Sequence, residues 1–234
     1  MVRAIIFDMF ETLITHYNSP LYFGWQMAAD AGVDTQEFLL RWRGLETDRT
    51  IGKISLEQTL EQILKETGVY SETLANKIAS KRVATCKSCF ETLHPEILPM
   101  LEQIKDRGVL VGLISNCFSE EAQVIRESVL FPYFDAVCLS YELGMRKPEK
   151  EIYRVCMEKL SVKPEECIYV GDGGSHELET AKELGMKAVQ AVWYLKEGTH
   201  QPTGRMRDFL QMESPLSLTE YMENYRDERD GKCR

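Results

Sequence analysis

The sequence predicts a doubly wound α/β fold, in which a Rossmann-like parallel sheet carries an inserted, all-helical segment. Short apolar runs rich in β-branched residues end abruptly at polar residues, as strands buried on both faces do. After residue 91 such runs alternate with helical periodicity, which is typical of βαβ units, whereas residues 16–90 contain no convincing strand. We therefore expect a discontinuous core of residues 1–15 and 91–234 and a helical insertion of residues 16–90.

The first predicted strand is the apolar run of residues 2–7, which ends at Asp8. A capping box of Ser55 and Gln58 marks the start of one helix in the insertion. The insertion is predicted to contain helices over residues 21–31, 35–49, 55–68 and 72–89. The remaining core strands are predicted over residues 110–114, 136–139, 167–170 and 188–192. The core helices are predicted over residues 95–106, 119–129, 149–160 and 177–184. The tail, residues 226–234, is expected to be disordered.

Composition excludes several classes of protein. The chain has 234 residues, of which 44% are hydrophobic and 28% charged, as in ordinary globular proteins. Its net charge of -9 argues against a nucleic-acid or anionic-membrane partner. The sequence contains no stretch long and apolar enough to span a bilayer. We interpret the seven cysteines as reduced thiols and expect a cytoplasmic protein.

Polar side chains follow three of the predicted strands directly. Asp8, Ser115 and Asp172 each stand where a buried strand ends. In an open parallel sheet the carboxyl ends of the strands line the ligand crevice, so these three groups should lie together. Lys147 stands on a loop between Gly144 and Pro148. Alone, an aspartate after a strand is usually a cap or turn residue and a loop lysine is usually solvated.

Together the four segments form a recognisable set of motifs. They are Asp8-Met9-Phe10-Glu11-Thr12-Leu13, Leu113-Ile114-Ser115-Asn116, Arg146-Lys147-Pro148 and Gly171-Asp172-Gly173-Gly174-Ser175-His176-Glu177. In this order and spacing the sequence resembles the haloacid dehalogenase (HAD) superfamily, in its branch with a helical cap. The resemblance implies that Asp8 is the nucleophile, that Lys147 and Ser115 assist it, and that Ser115, Asn116 and Thr12 bind the substrate.

The resemblance also implies a Mg²⁺ ion and a small phosphorylated substrate. A phosphate repels the attacking carboxylate, and a divalent cation and a lysine offset that repulsion. Mg²⁺ prefers oxygen ligands, and those implied are Asp8, the Phe10 carbonyl and Asp172. Glu177 either joins them, directly or through water, or provides a favourable charge in the first turn of the next helix.

The first motif departs from the family pattern at two positions. Phe10 stands where phosphatases of the family have the aspartate that protonates the leaving group, and Glu11 replaces the following glycine. General acid–base help is typically worth roughly 10²–10⁴-fold, so we expect slow turnover of alkyl phosphates and faster turnover of aryl or acyl phosphates. Glu11 is an alternative acid, although successive side chains rarely point the same way.

Two other functions stay open. An aromatic residue at position 10 resembles the metal-independent 2-haloacid dehalogenases, whereas Asp172 and its acidic neighbour resemble the metal-dependent phosphatases, which we favour. The other alternative is a catalytically impaired member that binds a ligand and regulates it. A monomer and a homodimer fit the sequence equally well.

The cap is expected to select the substrate. Its basic cluster of Arg41, Trp42, Arg43 and Arg49 could bind an anionic substrate tail, with Arg41 as the substrate-binding candidate. A solvated helix face is the alternative.

Overall fold

A six-stranded parallel sheet forms the core of the protein. The computed structural model describes residues 1–196 and 203–230. The strands lie in the order β3-β2-β1-β4-β5-β6, and every neighbouring pair is parallel. Their bounds are β1 Ala4–Phe7, β2 Leu110–Ser115, β3 Ala136–Leu139, β4 Cys167–Gly171, β5 Lys187–Ala191 and β6 Leu210–Met212.

Helices cover both faces of this sheet. Side chains of β1 alternate between the faces, with Ile5 and Phe7 in one hydrophobic cluster and Ala4 and Ile6 in the other. The first cluster includes residues of α6 and α11, and the second includes residues of α9 and α10. The core helices are α6 Ile97–Asp106, α7 Ser119–Glu127, α8 Ser140–Leu143, α9 Lys150–Leu160, α10 Glu177–Glu183 and α11 Pro215–Asp230. The predicted doubly wound fold is confirmed.

The inserted segment is helical and has a hydrophobic cluster of its own. Its helices are α1 Gly24–Ala31, α2 Thr35–Gly44, α3 Glu46–Thr50, α4 Leu56–Glu66 and α5 Glu72–Glu91. Phe38, Leu60 and Ile78 come from three of these helices, and all three side chains are fully buried in that cluster. Ser55 and Gln58 form the predicted capping box at the start of α4. Among the described residues, this segment adds no strand to the sheet.

The structure differs from the sequence predictions in several elements. The strand β6 was not predicted, because three residues at a sheet edge are too short to show a period of two. The helix predicted over 35–49 is two helices, which separate after Gly44, a residue of low helix propensity. The tail is helical to Asp230, so the expected disorder is wrong for residues 226–230, and residues 231–234 lie outside the described residues.

Two features bear on the environment of the chain. No helix in the described ranges has the length and apolar character needed to cross a membrane. The six cysteines at described positions are free thiols, and all six are buried.

Candidate active site

The carboxyl edge of the sheet brings the predicted polar residues together. The strand order reverses around β1, with β2 on one side and β4 on the other, and such a switch point opens a crevice at the strand ends. Asp8 follows β1, and its N–H donates to the Val170 carbonyl of β4 at 2.9 Å. Ser115 is the last residue of β2, and Asp172 follows β4.

Lys147 is buried between two carboxylates. Its Nζ donates to Asp8 Oδ1 at 2.5 Å and to the Glu177 carboxylate. Burial alone would lower the pKa of the lysine, but the negative charges of Asp8 and Glu177 outweigh burial and raise it. Lys147 is therefore held as a cation next to the predicted nucleophile.

Asn116 fixes the backbone that carries Lys147. Its Oδ1 accepts from the Lys147 N–H at 2.8 Å, and its Nδ2 donates to the Lys147 carbonyl at 3.0 Å. The same Nδ2 lies 3.3 Å from Ser175 Oγ. The side chain of Asn116, predicted to bind substrate, thus positions the lysine loop against the end of β2.

Glu177 is fully buried beneath the loop that follows β4. Its carboxylate accepts from the Tyr169 hydroxyl at 3.0 Å and from the Gly173 N–H at 3.1 Å, in addition to Lys147. Gly171 makes room for it, because a Cβ there would lie 2.0 Å from Glu177 Oε1. Glu177 begins α10, as one predicted alternative requires, and its carboxylate also lies inside the site.

Three carboxylates converge on one point. Asp8, Asp172 and Glu177 each offer an oxygen, and these oxygens lie within 4.8 Å of one another. Burial, and then the charge of Asp8, raises the pKa of Asp172 to about 6 and that of Glu177 to about 8. Burial also raises the pKa of Asp8, against the opposing effect of Lys147. One lysine is too little positive charge for three carboxylates, so these residues could hold a divalent cation.

Phe10 and Glu11 lie at the mouth of this group. Both line a pocket of about 150 Å³ together with Asp8, Lys147, Asp172 and Glu177, which we call the Asp8 pocket. Glu11 has a φ of 58°, in the left-handed region where the family pattern has glycine. Its carboxylate accepts from the Thr15 hydroxyl at 2.6 Å and the His16 N–H at 3.0 Å. Glu11 is thus bound to the turn that follows it.

A sequence model of haloacid dehalogenase-like hydrolases matches residues 2–185 of the chain. The chain belongs to this family. A glyceraldehyde 3-phosphate phosphatase of Methanopyrus kandleri is 26% identical over 218 residues, which cover 86% of this chain and 87% of that protein.

Two solved structures of haloacid dehalogenase-like proteins share the fold. A HAD phosphatase from Thermococcus onnurineus has a TM-score of 0.64 at 21% identity, covering 94% of this chain and 98% of that one. A 2-haloacid dehalogenase from Pseudomonas syringae has a TM-score of 0.69 at 21% identity, covering 96% and 100%. Because both reactions occur on this fold, the fold does not choose between them.

Three other predicted residues lie less directly in the site of this haloacid dehalogenase-like hydrolase. Ser115 and Thr12 are fully buried, and the Thr12 hydroxyl has no hydrogen-bond partner among the described residues. Arg41 does not line the Asp8 pocket; its guanidinium pairs with Glu37 at 3.1 Å and Glu66 at 3.0 Å on the cap. Acidic neighbours on the cap helices pair with Arg41, and its contact with the substrate stays a prediction.

A larger cavity lies between the cap and the core. It measures about 430 Å³ and shares Phe10, Glu11 and Asn116 with the Asp8 pocket; we call it the cap cavity. Of the predicted basic cluster only Trp42 lines it. Sequence reasoning missed its other principal residues, His16, Arg82 and Phe118, because only the docking of cap on core brings them together.

Buried ion pairs join the cap to the core beside this cavity. Arg82 of α5 donates through Nε to Glu120 at 3.2 Å and through NH2 to Glu121 at 2.5 Å. Its NH1 donates to the Tyr22 carbonyl at 3.2 Å. All three nitrogens of this guanidinium are therefore engaged.

Proposed function

We propose that this hydrolase is a Mg²⁺-dependent phosphatase that transfers the phosphoryl group of a small phosphorylated compound to Asp8. The cluster of Asp8, Asp172 and Glu177 carries the proposal. A cluster of carboxylates with raised pKa values, two of them buried and Asp172 half-buried, is costly without a cation, and its oxygen donors suit Mg²⁺. The glyceraldehyde 3-phosphate phosphatase, similar over most of the chain, supports a phosphorylated substrate.

The chemistry needs two displacements at phosphorus. An oxygen of Asp8 bonds to phosphorus while the ester P–O bond breaks, and the electron pair leaves with the leaving-group oxygen. Water then attacks phosphorus, the bond to Asp8 breaks, and phosphate and a proton are released. Lys147 pairs with Asp8 and can contact the phosphate as charge develops. When bound, Mg²⁺ supplies further positive charge that offsets the repulsion between phosphate and carboxylate.

The proposed enzyme has little help for its leaving group. Phe10 cannot transfer a proton, and both carboxylate oxygens of Glu11 already accept hydrogen bonds within residues 11–16. The leaving oxygen therefore departs with its negative charge, which favours leaving groups that are stable anions.

One observation favours a second candidate, a metal-independent hydrolase of carbon–halogen bonds. A halide leaves without a proton, so Phe10 would cost such an enzyme nothing. The cluster of three carboxylates argues against this candidate, because a reaction without metal does not require them to lie together. The phosphatase explains both features if its substrate has a good leaving group.

Product release with and without Mg²⁺ tests the proposal. We expect acetyl phosphate to release phosphate in Mg²⁺ and to stop doing so in excess chelator. Release of halide from 2-chloropropionate in chelator, with no phosphate release, would instead establish the dehalogenase. Phosphate that binds tightly without any turnover would identify the catalytically impaired, ligand-binding alternative.

A further inference from the structure

The cap cavity continues from the Asp8 pocket and is the space open to a leaving group. Phe10, Glu11 and Asn116 line both spaces, so a phosphate at Asp8 would direct the rest of its molecule past these residues. The volume of about 430 Å³ is in the ordinary range for small-molecule sites. The walls of the cap cavity therefore determine which leaving group fits.

Most of the residues that line the cap cavity are aromatic. The cavity has eleven lining residues. Six of them are aromatic: Phe10, His16, Tyr17, Phe23, Trp42 and Phe118. Phe10 and His16 stack with ring centroids 4.8 Å apart and planes 15° apart, which presents a flat surface next to the Asp8 pocket. Aromatic walls favour a planar aromatic ligand, which gains from offset or edge contacts as well as from burial.

A cation between two rings holds the far wall together. The Cζ of Arg49 lies 3.4 Å from the centroid of the Trp42 ring and 3.8 Å from that of Phe118. Trp42 and Arg49 belong to the cap and Phe118 to the core, so this stack crosses the interface. Arg49 is 1% exposed and its nitrogens have no hydrogen-bond partner among the described residues, so the rings and Glu120, 3.7 Å away, hold it.

The charged groups on the walls leave little attraction for a second anion. Among the arginines and lysines of the described residues, Arg82 lines the cavity, and all of its nitrogens are engaged by Glu120, Glu121 and a backbone carbonyl. Glu11, Glu46 and Glu121 add negative charge to the same walls. A carboxylate or second phosphate on the leaving group would meet these acids. Arg49 does not line the cavity, because it lies between the Trp42 and Phe118 rings with Glu120 3.7 Å away.

We propose that the cap cavity binds an aromatic leaving group, so that the substrate is the phosphate monoester of a phenol-type ring hydroxyl with no second anionic group. The proposal rests on the phosphatase function. It is chemically consistent with Phe10: when the aryl O–P bond breaks, the electron pair stays on a phenolate, which is a stable anion and takes its proton from water.

Binding of non-hydrolysable phosphonates in Mg²⁺ tests the proposal by calorimetric titration. We expect phenylphosphonate to bind the wild type at least about tenfold tighter than methylphosphonate, since tenfold is only about 1.4 kcal/mol. Phosphonoacetate, which carries a second anion, should bind no tighter than methylphosphonate. Equal binding of phenylphosphonate and methylphosphonate, or tighter binding of phosphonoacetate than of phenylphosphonate, would overturn the proposal.

Trp42→Ala should remove most of the preference for phenylphosphonate. Trp25→Ala is the matched control, because Trp25 lies on another cap helix, is 53% exposed and does not line the cavity. If Trp42→Ala fails to fold, Phe118→Leu tests the same wall from the core side. Equal preferences in Trp25→Ala and in the cavity variant would show that the ring binds elsewhere.

Turnover of acetyl phosphate separates failure of this proposal from failure of the phosphatase function. Its small acyl group makes no demand on the aromatic walls. Turnover that depends on Asp8, together with no preference for the aromatic phosphonate, would leave the phosphatase intact and remove only the aromatic substrate. No turnover of any phosphate would remove the phosphatase, while the titration would still report on the cavity.

Discussion

At the residue scale, the site is organised by the way Lys147 is shared. Asp8 and Glu177 both accept from its ammonium, and Asp172 lies beside them with no lysine partner in residues 1–196 and 203–230. The proposed nucleophile is thus kept near a cation, and the remaining negative charge falls on the two residues that follow β4. Single substitutions at Asp8 and Asp172 separate these roles.

Asp8→Asn should give a folded protein without turnover. The amide keeps the shape and can still contact Lys147, but it is no nucleophile, and nucleophile loss costs several orders of magnitude. Phosphate release from acetyl phosphate in Mg²⁺ is the measurement. Asp106→Asn, at an exposed aspartate on the C-terminal end of α6, is the control and should keep full activity. Activity of Asp8→Asn above about one per cent of wild type would exclude Asp8 as the nucleophile.

Asp172→Asn should stabilise the metal-free protein at high pH. The pKa of Asp172 rises from 3.8 to about 6 on folding, chiefly through burial and then through the charge of Asp8. The stability that protonated Asp172 contributes is present below pH 3.8 and is lost as pH rises through about 6. The free energy of unfolding of the variant should therefore increase relative to that of wild type as pH rises, by up to about 3 kcal/mol at about pH 8.

Urea unfolding at about pH 4 and about pH 8, in chelator, measures this difference. Added Mg²⁺ should stabilise the wild type at the higher pH and should stabilise Asp172→Asn less. A variant that is less stable than wild type at both pH values, with the same response to Mg²⁺, would contradict this prediction. It would show that ionised Asp172 does not destabilise the metal-free protein and that Asp172 does not bind the cation.

At the element scale, the end of β4 and the loop after it build the site. Gly171, the last residue of β4, lies against the Glu177 carboxylate. Gly173 has a φ of 99°, in the left-handed region, and reverses the direction of the loop. Ser175 and His176 continue the turn in the left-handed region, with φ values of 54° and 53°. The first residue of α10, Glu177, thereby lies under its own preceding loop.

Gly171→Ala should displace Glu177 and weaken the site. The added Cβ would lie 2.0 Å from Glu177 Oε1, and overpacking of this kind typically costs about 1–3 kcal/mol. We expect lower stability in urea and weaker Mg²⁺ binding by calorimetry. Gly44→Ala is the control, because a Cβ there meets nothing within 4 Å at the end of α2. If the two variants behave alike, the tight contact at Gly171 has no role in the site.

The strand ends could be predicted from sequence, and the contacts of the cap could not. Strand β3 has its predicted bounds, and Asp8, Ser115 and Asp172 lie at one edge of the sheet because the parallel strands end there. The break after Gly44 starts a new helix, and within it Arg49 lies buried at the interface while Arg41 pairs with acidic residues on the cap. The periodicity of one segment carries no information on such contacts between segments distant in sequence.

At the scale of the whole molecule, the cap is tied to the core by charge buried between them. Arg82 of α5 faces Glu120 and Glu121 at the start of α7, and all three side chains are nearly inaccessible to solvent. Burial, and then the charge of Glu121, raises the pKa of Glu120. Pairing with Arg82 thus offsets part of the cost of burying both carboxylates at the interface between cap and core.

Arg82→Gln should be strongly destabilising. It leaves the buried Glu121 without its cation and Glu120 with Arg49 alone, 3.7 Å away. Breaking a buried pair in this way costs roughly 3–5 kcal/mol. Arg126→Gln removes an exposed pair with Glu142 and should cost at most about 1 kcal/mol. Urea unfolding compares the two variants, and adding Glu120→Gln to Arg82→Gln should recover part of the loss. Equal losses for Arg82→Gln and Arg126→Gln would mean that the buried pairs do not hold the cap.

The proposed reaction requires a phosphoryl group on Asp8 during turnover. Mass spectrometry of the peptide that contains Asp8, after acid quenching of enzyme mixed with acetyl phosphate, detects that group directly. We predict a peptide that is heavier by one phosphoryl group in Mg²⁺ and unmodified in excess chelator. Phosphate release without modification of this peptide at any time, or modification that persists unchanged in chelator, would contradict a Mg²⁺-dependent phosphatase acting through Asp8.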